Sequence, residues 1–123
     1  MKLIIDPPIF LWALSAPKRI PKDKLAEIEM QANIVYVSSI SIAGVMIKAS
    51  IGKLDVRFDP MEMVEKCGFE SLDFRSEDAL LLKDLPFHHR DPFDRMLIAQ
   101  SIANKYPIIT DDQKFQAYAC RLV

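Results

Sequence analysis

The chain has 123 residues, 50% of them hydrophobic and 27% charged, with a formal charge of −1. That length leaves room for a single domain over residues 1–123, with ~70% of the unfolded chain's surface removed from water on folding. The apolar content excludes a disordered chain, and the near-zero charge excludes a global pull toward nucleic acid, so any such affinity must come from a local patch.

Residues 3–5 form a short apolar run closed by Asp6-Pro7-Pro8. Prolines cannot continue a central ladder, so the run predicts a buried strand that stops at Asp6, with a brief helix over 9–14 behind it. Residues 21–31 place Leu25 and Ile28 at helical spacing among charges, as a surface helix does. Residues 33–37 are β-branched and aromatic, a second buried strand, and the serines after it can cap a helix over 40–50 that Gly52 stops. Asp59-Pro60 opens a further helix ended by Gly68, and residues 69–74 fit a third strand. Ser76 caps a helix carrying Ala79, Leu80 and Leu82, and Asp91-Pro92 opens another whose Met96, Leu97, Ile98 and Ile102 make a broad apolar face. Residues 107–110 are a fourth strand, and a final helix over 115–118 and a terminal strand over 120–123 close the chain. Strands alternating with helices predict an α/β fold with a mostly parallel sheet and helices on both faces.

The apolar stretches at 34–37 and 40–47 are interrupted by serines and fall short of the ~20 residues of a membrane span, so no membrane role is expected. Asp6 and two prolines spoil any signal-peptide core near the N-terminus, which makes the cytoplasm the expected location. Cys67 and Cys120 have no metal-ligand spacing and are expected as buried thiols.

In open parallel sheets ligands bind outside the carboxyl ends of the strands. Asp6 and the pair Asp111-Asp112 each follow a predicted strand directly, so they meet at one edge of the sheet although nearly the whole chain separates them. Asp91 and Asp94 lie within the first turn of one helix. Carboxylates converging there repel one another unless a cation sits among them, and an all-oxygen site suits magnesium or manganese. Each acid also has a plain structural reading: Asp91 as a helix cap, Asp111 or Asp112 as a cap of the last helix, Asp6 as the start of a turn. Their joint placement is the argument for a site. His88, His89, Arg90 and Arg95 flank the acids and read first as structural; Lys48, Lys53 and Arg57 could extend a phosphate-binding rim or simply be solvated. Phe10, Trp12 and Leu14, near the first acid, could line a partner groove but read first as core.

The run His88-His89-Arg90-Asp91-Pro92-Phe93-Asp94-Arg95-Met96-Leu97-Ile98-Ala99-Gln100 resembles a signature of PIN-domain proteins, the VapC-like toxins of bacterial toxin and antitoxin pairs. Asp6 with Leu11-Trp12-Ala13-Leu14, then Val37-Ser38 through Lys48 and Gly52-Lys53-Leu54, and Ile109-Thr110-Asp111-Asp112 match in order and spacing. The resemblance implies a three-layer α/β/α sandwich, a ribonuclease using Mg2+ or Mn2+ on an RNA substrate, frequent homodimers, and an antitoxin that covers the active site. Carried over by position, the catalytic acids are Asp6, Asp94 and Asp112, with Asp91 beside them as a further metal ligand. The ion they hold would activate a water for in-line attack on a phosphodiester.

The family's remaining acid, a glutamate on the helix after the second strand, is Gly44 here, preceded by Ala43 where a tryptophan is common. Pro7-Pro8 stands where Thr-His is usual after the first acid, which removes a hydroxyl from the site. These departures predict impaired activity, and they open the alternative of an inactive PIN-like module that still dimerises and captures an antitoxin. A phosphorylated receiver domain of similar length needs an acidic pair after its first strand, and only Asp6 stands there.

Overall fold

The computed structural model describes residues 1–123. Strand β1 (Lys2–Ile5) leads into helices α1 (Pro7–Ser15) and α2 (Lys22–Glu29), then β2 (Ile34–Ser38), α3 (Ser39–Ser50) and α4 (Pro60–Lys66). Next come β3 (Glu70–Leu72), the single-turn α5 (Ser76–Ala79), the long α6 (Pro92–Asn104) and β4 (Ile108–Ile109). The sheet has four strands in the order β3-β2-β1-β4, all parallel.

The pleat of the strands sorts their side chains into two layers. Leu3 and Ile5 of β1, Val35 and Val37 of β2 and Ile109 of β4 pack with Phe10, Val64 and the half-buried Trp12, Leu25 and Ile28 on one face. Ile4 and Ile108 point the other way and meet Leu97 and Ile98 of α6, together with Phe115 and Tyr118. The sheet thus divides the core into two layers, and the architecture is the expected three-layer α/β/α sandwich.

Chain order along the sheet places its working edge. The chain steps outward from β1 to β2 to β3, then returns to add β4 on the opposite side of β1, so connections diverge between β1 and β4. Such a reversal opens a crevice at the carboxyl ends of the two strands. Asp6 follows β1 and Thr110-Asp111-Asp112 follow β4, so the fold delivers the acids to that crevice.

Several elements differ from expectation for identifiable reasons. Helix α1 starts at Pro7 and runs to Ser15, because both prolines occupy its first turn, where backbone N–H groups have no intrahelical partner. Asp6 caps it by accepting the Ile9 N–H at 3.0 Å. Ser76 is not the cap of α5: it lies inside that turn, and Asp78 reaches back to the Arg75 N–H at 2.9 Å. Asp78, not Leu80, is the buried residue there; Leu80 is 76% exposed. The last helix is a 3-10 turn over Gln113–Ala117, and the terminal strand is reduced to one parallel bridge between Ile108 and Leu122. Cys67 is exposed and Cys120 half-buried, both free, so neither is the buried thiol the composition suggested. Gly68, with φ +73°, ends α4 by letting its own N–H reach Glu65 and the Phe69 N–H reach Val64, both at 2.9 Å. No helix is long and apolar enough to cross a membrane.

Candidate metal centre

Asp6 is 2% exposed, with both carboxylate oxygens in use. One caps α1; the other accepts the Thr110 hydroxyl at 2.5 Å. That hydroxyl in turn accepts the Asp112 N–H at 3.0 Å, so one threonine ties the first acid to the last. A carboxylate has about four lone-pair sites, which leaves Asp6 able to accept a further partner. Burial, the largest influence, outweighs these hydrogen bonds, and the charges of Asp94 and Asp112 add to it, so the Asp6 carboxyl is pushed up to about 6. Replacing Thr110 by Val leaves the Asp112 N–H and Asp6 without their partner, and a loss of roughly 2 to 4 kcal/mol in denaturant unfolding is expected; an unchanged midpoint would show the pair to be unimportant.

Asp94 lies in the first turn of α6. Burial first, then the Asp91 charge, push its carboxyl up to about 6, with His89 and Lys48 opposing and Asp112 adding. Asp91 is the cap of α6: its Oδ1 accepts the Phe93 and Asp94 N–H groups at 2.8 and 3.2 Å. Asp112 behaves differently. Burial raises its carboxyl, but the Lys114 N–H and the hydrogen bond and charge of His89 outweigh that, and the net shift is downward. Asp111 is 54% exposed and 3.9 Å from the Lys24 ammonium.

Sequence reasoning underrated His89. Its Nε2 is 3.0 Å from Asp112 Oδ2 and 3.1 Å from Asp94 Oδ2, and the side chain is only 7% exposed. The three groups offer ligand atoms within 4.8 Å of one another. The usable signal was its place two residues before the cap of α6, where a side chain can bond the backbone N–H of residue i+2; His89 Nδ1 does so with Asp91, at 3.2 Å. The loop holding it is braced by Arg95, which is buried and donates to the carbonyls of Pro86 at 2.6 Å and Leu85 at 3.0 Å. Tyr118 accepts the His89 N–H at 2.8 Å and donates to Pro86 at 2.7 Å. Arg95 is thus structural, as expected, while His88 is exposed and packs edge-on to Tyr118.

Beside Asp94 opens a cleft of about 270 Å³, lined among others by Pro8, Gly44, Lys48, Lys53 and Phe93. Both lysines of the expected rim lie on this cleft, whereas Arg57 is turned to Asp55 at 3.1 Å and takes no part. Gly44 is buried on α3, and a Cβ built on it would meet Phe93 Cγ at 3.7 Å, an ordinary contact. Steric crowding is therefore not the reason for a glycine there.

The profile of the PIN domain family matches residues 3–120. The chain belongs to the PIN domain family. No curated protein sequence matches it. Among solved structures this PIN domain is similar to VapBC2 from Rickettsia felis bound to a DNA fragment from their promoter, with a TM-score of 0.73 at 18% identity over 99% of this chain and 96% of that one. FitAcB from Neisseria gonorrhoeae gives 0.63 at 15% identity, covering 98% and 95%. VapBC-5 from Mycobacterium tuberculosis, a member of the VapBC family of toxin-antitoxin systems, gives 0.57 at 16%, covering 94% and 89%. At these identities the likeness is one of fold.

The donor set suits a hard divalent ion. Asp6 and Asp94 bear raised carboxyls because burial and neighbouring acids outweigh the hydrogen bonds and cations that oppose them, and carboxylate oxygens are the donors that Mg2+ or Mn2+ prefer.

Proposed function

We propose that this PIN domain is a divalent-metal-dependent endoribonuclease, the toxin of a toxin-antitoxin pair, acting in the cytoplasm. The observation that carries the reading is the meeting of three distant stretches of chain at the crevice between β1 and β4: Asp94 and Asp112 lie with His89 in one cluster, and Asp6, outside that cluster, is tied to Asp112 through Thr110 and feels both charges. Asp6, Asp94 and Asp112 would hold Mg2+ or Mn2+, with the cap Asp91 adding negative charge through its effect on Asp94. When bound, the ion supplies Lewis acidity toward water and a phosphodiester oxygen.

The protein's own contribution is binding and orientation. Lys48 and Lys53 on the cleft wall attract the RNA backbone locally, which a chain of net charge −1 cannot do globally. Thr110 and His89 keep the acids in register by hydrogen bonds to Asp6 and Asp112. Burial of Asp6 limits the access of bulk water to its carboxylate. The likeness in fold to VapBC-5, described as a toxin-antitoxin system member, supports an antitoxin as partner, and the family resemblance supports a homodimer.

Purified protein is expected to cut a mixed RNA in Mn2+ or Mg2+, with Asp94→Asn inactive. Cleavage that persists with chelator, or in Asp94→Asn, would sink the assignment. One observation favours a second reading, an inactive PIN module that captures an antitoxin: Gly44 supplies no carboxylate to the cleft. That reading predicts tight antitoxin binding with no cleavage by this chain under any metal.

A further inference from the structure

The cluster of His89, Asp94 and Asp112 invites reading the imidazole as a nitrogen ligand to the ion. The other side of the ring argues against it. Asp91 N–H, which can only donate, points at His89 Nδ1 from 3.2 Å, so Nδ1 must present a lone pair. In a neutral ring the proton then sits on Nε2, the atom facing the two carboxylates, and a protonated nitrogen has no lone pair for a metal. We propose that His89 is a positioning residue: the Asp91 amide fixes its tautomer, and the Nε2–H clamps Asp112 while standing against Asp94, setting the spacing of two acids from outside the metal's ligand shell.

The surroundings fit a part that holds rather than reacts. The ring is braced edge-on by Phe115 at 5.8 Å, and its backbone N–H is tied to the Tyr118 hydroxyl. The same amide bond couples the ring to the start of α6, since Asp91 is both the donor to Nδ1 and the cap for the turn carrying Asp94. One short stretch, 89–94, therefore sets Asp94 through the cap and Asp112 through the ring. Without the clamp, Asp112 keeps only the Lys114 N–H as a hydrogen-bond donor to its carboxylate, and the separation of the two acids is no longer defined.

This inference rests on the proposed metal reading for its consequence, though not for its structural content. Long-range 1H–15N correlation spectra of the metal-free protein report the tautomer directly, and the expected pattern for His89 is protonated Nε2 with a bare Nδ1. Mn2+ binding supplies the second readout. Outer partners of metal ligands typically contribute 10- to 100-fold to affinity, so His89→Asn, whose amide ends at the Nδ1 position, is expected to weaken Mn2+ by ~10-fold or more. His89→Gln places an N–H near the Nε2 position and should recover most of it. Pulsed EPR of the Mn2+-loaded protein should show no directly coordinated nitrogen. A proton found on Nδ1, a coordinated 14N signal, or His89→Asn binding Mn2+ as well as the parent overturns the clamp while the metal site stands. A parent protein that binds no Mn2+, with the Nε2–H tautomer observed, overturns the metal reading and leaves the clamp as structure. The tautomer measurement needs no variant and holds even if His89→Asn fails to fold.

Discussion

Metal-free protein is expected to be more stable near pH 4 than at pH 7, by on the order of 3 to 4 kcal/mol, and Mn2+ at pH 7 is expected to restore the difference. Asp6 and Asp94 both have carboxyls pushed from the ordinary 3.8 up to about 6. A group whose folded value is raised holds its proton in the fold where the unfolded chain has lost it. Its stabilising contribution is therefore complete below about 3.8 and disappears as the pH rises through about 6. Each interval corresponds to roughly 3 kcal/mol. The two do not add in full, because the Asp94 charge is one of the causes of the Asp6 shift. Asp112, whose carboxyl is lowered, works in the other direction and in another window: its contribution is present above 3.8 and lost as the pH falls through its folded value. The groups acting on Asp94 are Asp91, His89, Asp112 and Lys48, so the profile should respond to changes in any of them. Thermal unfolding from pH 4 to 8, with chelator and then with Mn2+, measures this, and the chelated midpoint should fall by roughly 10 °C. At about 100 times its Kd the ion restores about 2.7 kcal/mol. In Asp94→Asn the slope should shrink, the chelated protein at pH 7 should be more stable than the parent, and the response to Mn2+ should vanish. A flat profile in the parent would mean that neither burial nor the neighbouring charges raise these carboxyls, and the case for a cation among them would fall with it.

The sequence made the sheet and its acids legible because the signals were local and strong. Short β-branched runs ending in Asp6 or Thr110-Asp111-Asp112 fix both the strands and the end of the sheet on which the acids emerge. Asp91-Pro92 likewise marks the start of α6 to the residue. What stayed hidden depends on contacts between distant segments. The Thr110 hydroxyl reaches Asp6 across 104 positions, and no pattern near either residue announces that bond. Nothing in the sequence sets His89 apart from its neighbour, the exposed His88, which carries the same chemistry; only burial and the bracing from Arg95 and Tyr118 separate the two. The α5 region misled for another reason. Leu82 packs against the second core layer as an apolar helix face would, but α5 tightens after one turn into a 3-10 turn over Leu80–Asp84, Leu80 is exposed, and the buried place goes to Asp78, held by Arg75 and by Asn104 at 3.3 Å. The contact between Asp78 and Asn104 joins positions 26 apart, and helical spacing could not anticipate it.

Gly44→Glu is expected to bind Mn2+ at least ~10-fold more tightly than the parent and to turn weak RNA cleavage into robust metal-dependent cleavage. The space exists: the added Cβ would sit 3.7 Å from Phe93 Cγ, and the cleft beyond it contains about 270 Å³ bordered by Asp94, Lys48 and Lys53. A further carboxylate near a divalent ion is worth several kcal/mol at an effective dielectric of about 20, of which repulsion with Asp94 and desolvation consume part; a net of about 1.4 kcal/mol already gives tenfold. The helix itself should gain up to ~1 kcal/mol, because glycine is a poor interior residue. Metal-free Gly44→Glu carries an additional buried negative charge beside Asp94, so its pH 7 stability with chelator should be no greater than the parent's despite that gain, and its response to Mn2+ should be larger. Gly44→Gln separates the causes, since it has the same shape and helix propensity without the charge. If Gln activates the protein as Glu does, packing or helix stability was limiting, and the missing carboxylate was not. If Glu tightens Mn2+ but RNA remains intact, the acids form a metal site that lacks a productive RNA path, which favours the antitoxin-binding module. Cleavage gained by Glu alone assigns this chain as a nuclease attenuated at a single position.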